Sequence, residues 1–289
     1  MKQLFYILLV ISLTLTSCNE DITTSWLKID SINLTTNVTI EGENSNDIVD
    51  AWLYMDNQPL GVFELPCEIP VLAEGKHSFI VYAGVKGNGS NGFRIKYPFY
   101  KTTEFDLTLI KGETVSYTPT VHYKSNVVFT GREDFEDTGI ILNPNIDFDT
   151  SKIKIISVID QPEIVKYGDN CGKIILTSLD TFVQVFTNLN IDLEKGDTFM
   201  ELDYMNTNSF AVGLNSVSAT NGANSEAYFA AVAQDESTLK WKKLYINITP
   251  YITNINQAVS FDFYIAGALD ADKTSGYIYL DNIKIVQFE

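Results

Sequence analysis

Trp241-Lys242-Lys243-Leu244-Tyr245-Ile246-Asn247-Ile248 sets Leu244, Ile246 and Ile248 on alternate positions, and Gly276-Tyr277-Ile278-Tyr279-Leu280-Asp281-Asn282-Ile283 repeats the spacing with Ile278 and Leu280. A period of two places alternate side chains on one face of a strand, so both segments are predicted to be β-strands with one face in a core. The same alternation, rich in β-branched and aromatic residues, recurs along the chain, and no long stretch carries the apolar stripe of a helix with about 3.6 residues per turn. The sequence is therefore expected to be all-β, two antiparallel β-sandwich domains of which the second is a jelly roll. Predicted strands in the first half are 36–40, 51–55, 61–65, 77–85, 93–100, 103–109 and 113–121. Turns fall at Asp56-Asn57-Gln58-Pro59, Ala73-Glu74-Gly75 and Lys111-Gly112, where Asn, Gly and Pro tolerate or preset the bend. In the second half they are 153–158, 173–176, 182–186, 199–204, 211–215, 227–233, 241–246, 259–266 and 276–286, with a polar hinge at Tyr123-Lys124-Ser125-Asn126.

Composition narrows the function. The 289 residues are 45% hydrophobic and 12% aromatic, so the chain can bury a core and is not a solvated tail. With 37 acidic against 20 basic residues the net charge is −17, which repels phosphate backbones and excludes nonspecific nucleic-acid binding. Two His and three Cys argue against a His-based zinc enzyme, a zinc ribbon or a disulfide scaffold.

The N-terminus reads as a signal peptide over residues 1–17, with one cation, Lys2, and an apolar run too short to span a bilayer. Leu15-Thr16-Ser17-Cys18 resembles the bacterial lipobox. That resemblance implies lipidation at Cys18 and a mature protein held at a membrane by its acyl chains. Asn19-Glu20-Asp21 is similar to the acidic export signal of Bacteroidetes lipoproteins, which implies an outer-membrane, surface-facing location. Asp30-Ser31-Ile32 resembles the short Bacteroidetes O-glycosylation sequon, with Ser31 as acceptor in an acidic and polar linker assigned to 18–35. Cys67 and Cys171 are expected to be small buried hydrophobes.

Two further resemblances concern the domains, assigned as 36–124 and 125–289. Trp52-Leu53-Tyr54, Asp56-Asn57, Pro66, Pro70 and Leu72-Ala73-Glu74-Gly75-Lys76-His77 resemble PEGA-like sandwich modules, which implies an extracytoplasmic structural or adhesive unit. Phe135-Glu136, Leu202-Asp203-Tyr204, Phe210-Ala211-Val212-Gly213-Leu214 and the two strands quoted first resemble carbohydrate-binding-module-like jelly rolls. That likeness implies a structural Ca²⁺ held by Glu136 and Asp281, with Asp134 as a third ligand. Otherwise Asp281-Asn282 caps the last hairpin.

Sugar-binding modules stack sugars on exposed rings, and Tyr204, Phe210, Tyr228, Trp241 and Tyr245 are the candidates, each either platform or core. Gly87-Asn88-Gly89-Ser90-Asn91-Gly92 spells a dinucleotide fingerprint, but an alternating strand and Pro98 follow instead of a helix, so it reads as a hairpin loop. His77 and His122 lie far apart without a nucleophile elbow, and His77 is expected to satisfy a local hydrogen bond. No catalytic residue is assigned, and the chain is expected not to be an enzyme. The expected role is a binding protein at the outer membrane, an accessory subunit of an outer-membrane protein assembly. The alternative is a glycan-binding surface lipoprotein of a polysaccharide-uptake system.

Overall fold

The computed structural model describes residues 24–137, 139–144, 153–187, 196–218, 222–254 and 258–289. The expected signal peptide, Cys18 and the acidic residues 19–21 lie outside these. Among the described residues no helix is long and apolar enough to cross a membrane. The all-β expectation holds in both halves.

The N-terminal half runs β1 (Ser25–Ile29), β2 (Asn33–Leu34), a one-turn helix α1 (Val38–Glu41), β3 (Ile48–Met55), β4 (Gln58–Glu64), β5 (Cys67–Val71), β6 (Gly75–Lys86), β7 (Arg94–Lys96), β8 (Thr103–Leu109), β9 (Thr114–Ser116) and β10 (Thr120–Val121). One sheet has the order β4-β3-β6-β7 with β8 on the other half of β6, and β5-β1-β9 forms the second. The β3–β4 hairpin turns on Asp56 and Asn57, both at positive φ, which the side chain of Asn or Asp tolerates better than most.

Two sequence expectations fail here. Residues 25–35 are not a linker: β1 pairs antiparallel with β5 and parallel with β9, and buries Leu27 and Ile29 in the core. The polar residues around this strand are its solvent face and flanking turns, which mimic a linker in composition. Residues 36–40 are not a strand but run into α1, which has no buried residue and whose carbonyls at Val38 and Glu41 accept from Arg132 and Lys284 of the second domain. Ser31 is exposed, in the short connection between β1 and β2.

The C-terminal half comprises β11 (Val127–Glu133), β12 (Leu142–Pro144), β13 (Ile153–Ser157), β14 (Asn170–Thr177), β15 (Phe182–Thr187), β16 (Thr198–Asn206), β17 (Phe210–Ser218), β18 (Gly222–Ala231), β19 (Lys242–Asn247), the short helix α2 (Thr249–Asn254), β20 (Ala258–Ala268) and β21 (Ser275–Phe288). A sheet of order β13-β14-β21-β16-β19, with β11 beside the far half of β21, faces a sheet of order β12-β15-β20-β17-β18. Met200, Leu202, Ile278, Leu280, Ile283 and Ile285 point between the sheets into one core. The step from Leu280 to Ile283 marks a β-bulge: Asp281 and Asn282 both turn outward, with Asn282 at positive φ.

Every residue of β16 is buried, on both faces. Alternation puts Phe199, Glu201, Asp203 and Met205 on the outside of the sandwich, and the N-terminal domain together with the connection before β14 covers that side. Phe199, Tyr245 and Val286 belong to the same apolar cluster as Tyr97, Phe99, Tyr100 and Tyr123 of the first domain. The glycine-rich loop is a hairpin loop, and it is docked rather than projecting: Asn88 N donates to Tyr245 O at 2.8 Å and Asn247 N to Asn88 Oδ1 at 2.8 Å. A Cβ on Gly89 would stand 2.9 Å from Phe229, so glycine permits this approach.

If β1 is a core strand, Leu27→Ala should cost about 2–5 kcal/mol in chemical denaturation. A linker residue would leave the midpoint unchanged.

Candidate functional site

The seam between the domains is held by a buried carboxylate. Glu201, on the outer face of β16, is fully buried. Tyr97 Oη donates to its Oε1 at 2.6 Å, and Tyr123 Oη lies 2.9 Å from both Oε1 and Oε2. Lys243 Nζ stands 3.2 Å and Lys284 Nζ 3.6 Å from Oε2. Burial alone would raise this carboxyl's pKa, but Lys284 and Lys243, then the two hydroxyls, outweigh it and hold it below the usual range. Burial pulls Lys284 down to about 8 despite Glu201. Around this centre Tyr97 packs edge-on to Phe199 and tilted against Tyr245, whose hydroxyl lies 3.2 Å from that of Tyr100.

Beside Glu201 on the same strand, Asp203 is also buried. Its Oδ1 accepts from Ser45 Oγ at 2.6 Å and its Oδ2 from Asn282 Nδ2 at 2.9 Å. One cavity has Asp203 in its wall, and a second has its partner Asn282. The larger, about 270 Å³, lies where the domains meet. The first domain supplies Ser45, Asn46, Asp47 and Lys86 to its wall. The jelly roll supplies Lys166, Asp203 and the run Lys240-Trp241-Lys242-Lys243. Trp241 is half-buried, and its Nε1 donates to Ile164 O at 2.7 Å, which fixes the indole against the wall.

The smaller cavity, about 50 Å³, is lined by Asp134, Glu136, Asp281 and Asn282 of the jelly roll and by Glu43. The three expected calcium ligands thus surround one space, but they do not form a cluster: among the described residues no three His, Cys, Asp or Glu side chains converge as metal ligands. Asp134 Oδ2 pairs with Arg132 at 3.0 Å. Glu136 Oε1 accepts from the amides of Asp169 and Asn170 at 2.8 and 2.9 Å. Asp281 Oδ2 and Asn282 Oδ1 are buried without a hydrogen-bond partner. Burial, then the charge of Asp203, holds the Asp281 carboxyl well above the usual range.

The aromatic candidates divide. Tyr204, Phe210 and Tyr245 are buried core residues and offer no ring face to a ligand, because their strand positions point between the sheets or into the domain seam. Trp241 reaches the larger cavity, and the side chain of Tyr228 lies outside those described. His77 bonds locally to Asp56 Oδ2 at 2.7 Å and to Glu74 O at 3.0 Å. Cys67 is half-buried rather than fully buried, Cys171 is buried, and neither forms a disulfide. Sequence reasoning missed the lysines at the larger cavity, although Lys240, Lys242 and Lys243 flank Trp241 in the chain.

No protein family and no curated protein matches this chain. Among solved structures, the CBM22-1 xylan-binding domain of Xyn10C from Paenibacillus barcinonensis is similar at 14% identity and a TM-score of 0.39, over 54% of this chain and 92% of that one. A cleaved adhesin domain of Lys-gingipain from Porphyromonas gingivalis is similar at 16% identity and 0.36, over 55% and 96%. A carbohydrate-binding module of the β-sandwich superfamily is similar at 12% identity and 0.37, over 84% and 88%. These are similarities of fold.

Removing one partner of a buried ion pair costs about 3–5 kcal/mol, so Glu201→Gln should destabilise the protein by that order at neutral pH. A carboxylate with a lowered pKa stabilises above its unfolded value, and that contribution is lost as pH falls through its folded value. The gap between Glu201→Gln and wild type in denaturant midpoint should therefore close on acidification; a constant gap would assign the loss to packing.

Proposed function

We propose that the protein is a non-catalytic, lipid-anchored binding protein of the outer membrane, facing the cell surface, whose ligand is a glycan held in the cleft at Trp241. The observation that carries this reading is the cleft itself. It is concave and preformed, its wall mixes hydrogen-bonding groups with one half-buried indole, and both domains build it, as small-ligand sites at domain junctions do. Ring stacking on the indole with polar groups around it suits a sugar. Hydrolysis of a glycan would need two available carboxylates across the cleft. Asp203 has both oxygens engaged by Ser45 and Asn282. The competing role, a subunit of an outer-membrane assembly, would draw on a flat apolar face. The exposed large apolar side chains among those described come instead from separate elements, such as Val38 and Ile40 on α1 and Leu72, Ile110, Ile159 and Leu179 in turns.

Calcium is proposed as a structural ligand at the bulge in β21. Asp281 Oδ2 and Asn282 Oδ1 are orphaned oxygens beside a small acidic cavity, and hard oxygen donors of this kind suit Ca²⁺. The ion would neutralise Asp281 and pin the bulge to the segment bearing Asp134 and Glu136.

A glycan array followed by isothermal titration calorimetry tests the first reading. Binding of a polysaccharide without release of reducing ends is expected, and Trp241→Ala should weaken it by more than about tenfold, the loss typical when a central aromatic contact is truncated. Binding unchanged by Trp241→Ala would move the site elsewhere. For calcium, saturating ion added to chelator-treated protein at about 100 times its dissociation constant should contribute about 2.7 kcal/mol and raise the melting temperature by a few degrees. An unchanged melting temperature would remove the ion from the account.

A further inference from the structure

Five of the chain's 20 basic residues, Lys86, Lys166, Lys240, Lys242 and Lys243, line the one cleft about 270 Å³ in volume, although the whole chain carries −17. Against them stand two carboxylates, Asp47 and Asp203, the second already held by Ser45 and Asn282. Among the described residues, no carboxylate lies within 4.0 Å of the ammonium groups of Lys86, Lys166, Lys240 or Lys242. Lys243 is different: its side chain is 2% exposed and its ammonium sits 3.2 Å from Glu201 Oε2 and 3.9 Å from Asp203 Oδ1, so its charge is taken up by the seam. The four other lysines are not buried and are the ones that can meet a ligand. Burial, then the charges of Lys240 and Lys86, pulls the Lys242 ammonium below its ordinary range, so these cations act on one another. Such mutual repulsion is a standing cost that an anion in the cleft would relieve.

We propose that the cleft selects an anionic glycan, one bearing carboxylates on its sugar rings, with Lys86, Lys240 and Lys242 pairing with the carboxylates and Trp241 supporting a ring. This deepens the glycan-binding reading and rests on it. Charge-assisted hydrogen bonds from ammonium groups supply the selectivity, because a neutral chain of the same shape would leave the lysines uncompensated. The negative field of the rest of the protein repels polyanions elsewhere on its surface, which confines binding to this cleft.

The test is titration calorimetry of the whole mature chain with oligogalacturonate and with the same oligomer after methyl esterification, which keeps the backbone and removes the charge. Lys240 and Lys242 are exposed, so a Lys240→Gln/Lys242→Gln variant should fold normally, which its melting temperature checks. The acid form should bind at least about tenfold more tightly than the ester, and the double variant should lose about tenfold or more toward the acid form alone. Added salt should weaken the acid form only. Equal binding of acid and ester, insensitive to the lysine substitutions, would overturn the anionic selectivity and leave a glycan site. Displacement of the oligomer by inorganic sulfate at the affinity of the oligomer itself would show a bare anion site and overturn the role of the sugar. No binding by either oligomer, with none elsewhere on a glycan array, would overturn the glycan reading as well.

Discussion

A carboxylate with no exposed surface can remain ionised only if its partners stay in place, and Glu201 draws those partners from both domains. The lysines come from neighbouring strands of its own sheet, the hydroxyls of Tyr97 and Tyr123 from the other domain. Separating the sandwiches would take away both hydroxyls and uncover Phe199, Tyr245 and Val286 at once. An isolated buried charge is costly and a half-satisfied network is worse than none, so the seam closes completely or not at all. The two sandwiches are in this sense one folding unit, and the length of β16, buried on both faces, is its spine.

The clefts follow from that spine. Lys243 pairs with Glu201 and lies beside Asp203 in the wall of the larger cavity, so the charge that balances the seam stands next to that cavity. On the neighbouring strand the bulge at Asp281-Asn282 turns two polar side chains to the same side, one of them binding Asp203 and both leaving an oxygen unpartnered. Asn282 occupies the positive-φ position that the bulge requires. A straight β21 would have sent one of the pair into the core.

Period-two alternation was enough to read most of the strands and the sandwich class, because the inward rows such as Leu244-x-Ile246-x-Ile248 are apolar in any surroundings. It was not enough to read the outward rows. Glu201, Asp203, Lys243 and Lys284 look like a solvated face in sequence, and only the docked domain makes them interior. The same blindness hid β1: Leu27 and Ile29 alternate with Trp26 and Lys28 over too few residues to stand out between polar neighbours. Of the candidate site, Trp241 was legible as an aromatic at a strand start. Lys86 and Lys166 were not, since they reach the cleft from distant segments and a lysine alone carries no pattern.

The Glu201 seam is tested most directly by calorimetric unfolding of the protein. It predicts one cooperative transition, with calorimetric and van't Hoff enthalpies in agreement, because the Glu201 seam couples both sandwiches. Two separate transitions, each matching one domain, would contradict the claim that the buried carboxylate joins them.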